Sequence, residues 1–273
     1  MSRIARRVRR LQGVLLLAAR LSRAGAGPLA RVRAFATAVA LGARWILRRP
    51  SPRLRTLRLR AFGGGAFVVS DYGELQVLRD ILLDEEYDLP GIDPRTIVDL
   101  GANVGAASAW FRARHPDARL VAVEPDPGTF AKLSRNLGGD PAVALVNAAI
   151  GRESGEVVLN RSEGYSIASS VAAGAPDGAG TERVRALTLD ELCAEAGLAR
   201  IDLLKLDVEG AELDVLAGSA ALGVVGTIIG EVHPRVLGDE VDEFFERLRD
   251  FDVERRSESD DAIRFVARRR ADG

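Results

Sequence analysis

Residues 96–105, Thr-Ile-Val-Asp-Leu-Gly-Ala-Asn-Val-Gly, set one carboxylate, Asp99, and two glycines, Gly101 and Gly105, at the end of a short apolar run. A helical pattern starts at Ala106, so the order reads as strand, tight turn and helix start. That geometry lets backbone approach a nucleotide-like ligand. A second apolar run, Leu120 to Val123, ends in Glu124, about 20 residues after the turn, where an acid can accept hydrogen bonds from ribose hydroxyls. The glycines do not follow the G-x-G-x-x-G spacing of a dinucleotide site, and Asp99 stands where a pyrophosphate would otherwise lie. A cationic nucleoside suits these residues better. S-adenosylmethionine, an adenosine carrying a sulfonium and an aminoacyl chain, fits both facts.

Other residues fall into place around that pair. Asn103 lies in the 101–105 turn, whose open N–H groups and following helix N-terminus would meet the ligand's carboxylate. Asp126, ahead of Pro127, reads as an N-cap. Asn147 and Ala148 sit where an adenine edge would lie, although Asn147 could instead close a turn. A denser cluster, Asp202 to Glu212, places Lys205 and Asp207 on one face of a strand. Lys205 on an apolar central strand needs a carboxylate partner, Asp207 or Glu209, either as a structural pair or to orient donor and acceptor. Glu212 is expected to face solvent or cap a helix. His233 is the candidate general base, with Glu231 orienting it or touching substrate, unless His233-Pro234 merely ends the strand. A competing scheme places a divalent ion on Asp207, Glu209 and Glu231.

These side chains need a scaffold that gathers strand ends. Apolar runs predict strands at 96–100, 119–124, 142–147, 156–160, 201–207 and 224–232. Helical periodicity predicts helices at 74–83, 105–114, 127–137, 189–197, 210–217 and 239–250. A hairpin is expected over 54–69, a Gly/Ala/Ser-rich loop over 161–181, and an antiparallel pair from the runs 252–257 and 262–267. Strict alternation of strand and helix argues an α/β fold with a mostly parallel central sheet, helices on both faces and an antiparallel C-terminal strand pair. Asp99, Glu124, Asn147, Asp207 and Glu231 then share the carboxyl ends of the strands, where such sheets bind ligands.

Charge divides the chain. Its 273 residues carry a net −1, but residues 1–60 hold 16 arginines and no acid, leaving 22 basic against 39 acidic residues in the remainder. The expected organisation is a basic amphipathic extension, 1–60, and a catalytic body, 61–273. Ile4, Val8, Leu11 and Leu15 recur at helical spacing among arginines, which suits peripheral contact with anionic lipid or a partner. A solvated extension with no specific partner is equally compatible, and the composition also resembles a transit peptide. No apolar run is joined to a cleavage site or spans a bilayer. One cysteine, Cys193, and two histidines argue against disulfides or a Cys/His metal site, so the expected location is the cytoplasm, peripheral at the inner membrane surface. No helix-turn-helix or aromatic–basic pattern points to nucleic acid.

The body resembles the FkbM family of S-adenosylmethionine-dependent methyltransferases across roughly residues 66–250. The resemblance rests on Val98-Asp-Leu-Gly-Ala-Asn-Val-Gly105, Val123-Glu-Pro-Asp-Pro127 with Phe130 and Asn136, and Val146-Asn-Ala-Ala-Ile-Gly151. Ser169-Ser170, Leu187-Thr-Leu-Asp190, the Asp202–Glu212 run and Glu231-Val-His233 complete it. It implies a Rossmann-like class I methyltransferase fold and O-methylation of a small-molecule or glycan hydroxyl on a sugar, glycolipid or polyketide-type metabolite. A short-chain dehydrogenase would need Tyr-x-x-x-Lys, but Tyr72, Tyr87 and Tyr165 are followed by Gln76, Gly91 and Ser169. The remaining rival is a non-catalytic Rossmann-like binding module tethered by its basic N-terminus.

Overall fold

The structure, a computed structural model, describes residues 3–49, 53–160, 181–259 and 261–271. The chain begins with helices α1 (Arg3–Ala24) and α2 (Pro28–Ile46), strands β1 (Arg55–Arg58) and β2 (Ala66–Val69), and helix α3 (Tyr72–Leu83). Next come β3 (Thr96–Leu100), α4 (Ala106–Arg114), β4 (Arg119–Val123), α5 (Pro127–Leu137), β5 (Val143–Val146), β6 (Ala149–Ile150) and β7 (Gly155–Asn160). They are followed by β8 (Thr181–Leu187), α6 (Leu189–Ala196), β9 (Ile201–Leu206), α7 (Glu212–Leu216) and β10 (Val225–Val232). Helices α8 (Pro234–Leu237) and α9 (Val241–Arg247) and strands β11 (Phe251–Glu258) and β12 (Ile263–Arg269) end the chain. Ser169-Ser170 and most of the expected 161–181 loop lie outside the described residues.

The elements fall into two compact units. One comprises Met1–Gly91, Val104–Pro116 and Ala131–Gly139. Here α1 and α2 form a helical hairpin, packed through Val14, Leu17, Ala18 and Leu21 on the first helix and Ala34, Ala38 and Leu41 on the second. Gly42 permits the close approach, since a Cβ there would run into Val14. Asp71 caps α3 by accepting the Glu74 N–H at 3.0 Å. Asn136 clasps strand β2, accepting the Val68 N–H at 2.7 Å and donating to the carbonyls of Val68 and Val104.

The other unit comprises Ile92–Asn103, Asp117–Phe130 and Asp140–Gly273, and it holds the main sheet. Its seven strands run in the order β11-β12-β10-β9-β3-β4-β5. The five from β10 to β5 are parallel, and β12 and β11 add antiparallel at the β10 edge. The fold is therefore α/β with a mostly parallel sheet and an antiparallel C-terminal pair. Continuous apolar runs build it, because parallel strands are covered on both faces. Leu100, Val121, Leu204, Ile228 and Phe265 are buried together with Leu192 of α6, Leu213 and Leu216 of α7, and Phe244 of α9.

Several boundaries depart from the sequence expectation. The sequence expectation gives no element to residues 182–187, yet β8 pairs there with β6 and β7 in a separate three-stranded sheet, because Val184 and Ala186 alternate inward between charged neighbours. The helix expected over 210–217 is shortened to Glu212–Leu216. The one expected over 239–250 is shortened to a 3₁₀ turn at Gly238–Glu240 and α9, with the separate helix α8 ahead of them.

Candidate active site

The carboxyl ends of β3, β4, β9 and β10 carry the polar residues of the main-sheet unit. Asp99 is fully buried and stands in direct cross-strand register with Lys205. The Lys205 Nζ lies 3.0 Å from the Asp99 carboxylate and 3.6 Å from that of Asp207. It also donates to the carbonyls of Leu100, at 3.2 Å, and Gly101, at 3.0 Å. Burial alone would depress the Lys205 pKa, but the Asp99 and Asp207 carboxylates outweigh it and hold the ammonium charged. Sequence reasoning offered Asp207 or Glu209 as the partner of Lys205. The nearest carboxylate is instead Asp99, which the register brings alongside. Lys205 thus clamps the end of β3 to β9 from within the sheet.

Gly101 follows at once, with φ +74°, and a Cβ there would overlap the Asp207 carbonyl. Only glycine lets the two strand ends approach so closely. Three of the turn's expected open N–H groups are spent inside the fold. Those of Gly101 and Ala102 donate to the Val123 carbonyl, and that of Asn103 donates to Glu124 at 2.9 Å. Gly105 belongs to the other unit, where its φ of +88° and the nearby Leu133 and Leu137 side chains demand glycine for packing.

Glu124 is nearly buried beyond the end of β4. One carboxylate oxygen accepts the Asn103 N–H and the other accepts the Asp126 N–H at 3.0 Å. Burial pushes its pKa up to about 7, against the lowering effect of these two hydrogen bonds. Each oxygen keeps a further lone pair for a ligand hydroxyl. Asp126 caps α5 by accepting the Thr129 N–H at 2.7 Å. Asn147 closes the neighbouring turn, its Nδ2 donating to the carbonyls of Glu124 at 2.8 Å and Pro125 at 3.0 Å.

A cleft of about 450 Å³ opens at these strand ends, lined among others by Gly101, Val123, Pro125, Ala148, Val208 and Ala211. That size suits a nucleoside-scale ligand. A larger, shallower depression of about 690 Å³ lies at the opposite ends of the strands, around Pro94, Ala199, Arg200 and Gly226. It is remote from the carboxylates, so the smaller cleft is the candidate site.

The second polar group surrounds His233, just past β10. Its Nδ1 lies 2.7 Å from Glu212 Oε1, and its Nε2 lies 3.5 Å from Glu209 and 4.0 Å from Glu231. Glu212 is fully buried and also accepts the Gly210 N–H, so the expectation of a solvent-facing Glu212 is overturned, while a capping-type contact is present. The chain folds back at Glu209, which adopts a left-handed φ of +55°, and this swings Glu212 under the imidazole. Glu231 instead accepts from Arg264 at 2.7 Å. Burial opposes the His233 cation, but its hydrogen bond to Glu212 and the charges of Glu212, Asp207 and Glu209 raise its pKa to about 9. Burial and the Asp207 charge push Glu209 to about 7, and burial raises Asp207 as well. Asp207, Glu209 and His233 each offer one ligand atom, all within 4.8 Å of one another, so these three, rather than a set with Glu231, could hold a metal ion.

The profile of the methyltransferase FkbM domain matches residues 99–256, which contain Asp99, Glu124, Lys205, Asp207, Glu209, Glu212, Glu231 and His233. The chain belongs to the FkbM methyltransferase family. Among relatives, the 2-O-methyltransferase NoeI of Sinorhizobium fredii is 32% identical over 179 residues, 59% of this chain and 69% of that protein. The 31-O-demethyl-FK506 methyltransferase FkbM of Streptomyces tacrolimicus is 29% identical over 218 residues, 66% of this chain and 82% of its own. The AMB antimetabolite synthetase AmbE of Pseudomonas aeruginosa is 32% identical over 200 residues, 58% of this chain but only 9% of that protein. As an FkbM methyltransferase the chain requires a methyl donor. Sequence reasoning did not find Val208 and Ala211 as cleft walls, nor Glu212 as the imidazole's partner. The signal for all three is the Asp207–Glu212 run itself, in which Val208 and Ala211 line the cleft while Glu209 and Glu212 face the imidazole.

Proposed function

We propose that this FkbM methyltransferase moves the methyl group of S-adenosylmethionine to a hydroxyl oxygen of a sugar, glycolipid or polyketide-type acceptor. The observation that carries the reading is Glu124, a nearly buried carboxylate with both oxygens pinned by backbone N–H groups, between the cleft-lining residues Val123 and Pro125. Such a group is held ready for a vicinal diol. The names of NoeI and of the FK506 methyltransferase support oxygen as the acceptor atom.

The donor supplies an electrophilic methyl on sulfonium, whose S–C bond breaks as the acceptor O–C bond forms. Glu124 would hold the ribose hydroxyls, with Val123, Pro125, Ala148 and Val208 around the adenine, and the Asp99 and Asp207 carboxylates would favour the cationic end. Holding oxygen, carbon and sulfur in line can contribute about 7–11 kcal/mol. The acceptor hydroxyl must also lose its proton. Glu209, with a pKa of about 7 and nearly half its side chain exposed, takes that proton. His233, cationic up to about pH 9 and fixed by Glu212, faces it and stabilises the oxygen as negative charge develops. A second reading replaces the proton chemistry with a divalent ion on Asp207, Glu209 and His233, favoured by the convergence of their ligand atoms.

Incubation with S-adenosylmethionine labelled in its methyl group and a panel of hydroxylated glycosides and macrolide alcohols tests the proposal. Label should reach an acceptor oxygen, and undiminished transfer after exhaustive chelation removes the metal reading. Glu209→Gln should lower turnover by about 10²–10⁴-fold. Label appearing on nitrogen or carbon alone contradicts the oxygen assignment.

A further inference from the structure

The α1–α2 hairpin has two apolar faces, and only one of them is packed. On α1, Val14, Leu17, Ala18 and Leu21 are buried, while Val8, Leu11, Leu15 and Leu16 stand open on another side of the helix. On α2, Ala34, Ala38 and Leu41 are buried, while Leu29, Val32 and Phe35 are open. Leu16, Leu29 and Val32 are 64%, 63% and 65% exposed. Of the thirteen large apolar side chains that are exposed among the described residues, nine lie between Val8 and Leu47. Scattered exposed leucines need no explanation, but this concentration in one hairpin does.

Charge identifies what covers it. Arg7, Arg9, Arg10, Arg23, Arg31 and Arg33 are exposed on the same two helices, and residues 1–60 contain no acid to neutralise them. Arg10 lies over the ring of Trp45, 5.1 Å from its centroid, and Trp45 is itself partly exposed. A helix with an open apolar stripe, arginines beside it and an aromatic at its edge fits the boundary between headgroups and acyl chains. Neither helix is long and apolar enough to cross a membrane. A second copy of the hairpin is a poor cover, because the two surfaces would bring arginine against arginine.

We infer that α1 and α2 dock flat on an anionic lipid surface, inserting Leu11, Leu15, Leu29 and Val32 while the arginines meet the headgroups. This inference does not rest on the methyl-transfer reading. The full chain should float with vesicles containing about one-third phosphatidylglycerol at least tenfold more than with phosphatidylcholine vesicles, and the binding should weaken as salt rises. Leu29→Asp with Val32→Asp should lower that binding at least tenfold, as should Arg31→Glu with Arg33→Glu, whose side chains are exposed and leave the packed face intact. Circular dichroism and thermal unfolding of each double variant report whether the fold survives, independently of any ligand, and the inference is read from whichever of the two variants unfolds as the parent does. Equal binding to both vesicle types, unchanged binding by both double variants, or no vesicle binding with a concentration-dependent dimer would each overturn the inference, the last in favour of a second copy.

Discussion

Glu124 should make donor affinity depend on pH in a direction set by its burial. Its carboxyl titrates at about 7 in the fold against an ordinary 4.5. At about 1.4 kcal/mol per pH unit, ionising it in place costs about 3 kcal/mol. Because the native-state pKa is raised, the folded protein holds the extra proton between 4.5 and about 7. The stability present below that window is lost as pH rises through it, by up to about 3 kcal/mol. A ribose diol needs the ionised form as its acceptor, so donor binding draws on the opposite limb. From about pH 6 to about pH 8 the ionised fraction, and with it the affinity for S-adenosylmethionine, should rise roughly tenfold. Glu124→Gln removes the charge and should flatten that dependence. It should also weaken binding by about 1.5–3 kcal/mol, roughly 10–150-fold, the value of hydrogen bonds to a charged acceptor. Calorimetry across this pH range on both proteins is the assay, and denaturant unfolding of the ligand-free pair reports the stability limb. Comparison with the variant separates Glu124 from Glu209, which titrates in the same range. A wild-type affinity that falls as pH rises, or a variant with the same slope, refutes the ribose role.

Lys205→Met should destabilise by about 3–5 kcal/mol, since it leaves Asp99 and Asp207 facing each other without a cation. Adding Asp99→Asn should restore part of the loss in thermal or denaturant unfolding, and strict additivity of the two would contradict the clamp. Gly101→Ala should abolish donor binding and cost at least about 1–3 kcal/mol, because it combines a positive φ with overlap at the Asp207 carbonyl. A well-folded, donor-competent Ala variant would show that the two strand ends need not meet. Glu212→Gln should lower the pKa of His233 from about 9, measured by NMR of the ring, since a neutral amide replaces its carboxylate partner. An unmoved pKa would mean that Asp207 and Glu209 alone hold the imidazolium.

Much of this arrangement was legible in the chain, for identifiable reasons. Ile97-Val98, Leu120–Val123, Leu203-Leu204 and Ile228-Ile229 are uninterrupted apolar runs, and such runs form parallel strands because both of their faces are covered. Asp126 ahead of Pro127 announced a capped helix, and the structure caps it there. What stayed hidden depends on register and on chain reversal. Nothing local to Lys205 says that β9 sits beside β3 with Asp99 opposite it, so the sequence offers only Asp207 and Glu209, of which Asp207 is indeed a second partner at 3.6 Å. Glu212 follows the left-handed turn at Glu209, and a strand or helix pattern cannot project a side chain through such a reversal. β8 stays hidden because its outward Arg183 and Arg185 carry no apolar signal, and its inward Val184 and Ala186 give only a weak one.

The most direct measurement of the central claim is titration calorimetry of the full chain with S-adenosylmethionine and, separately, with NADH. Saturable one-to-one binding of the first, weakened by Glu124→Gln and by Asp99→Asn, together with no heat from the second, is the expected result. Silence toward S-adenosylmethionine, or equal binding of the two compounds by all three proteins, contradicts the account.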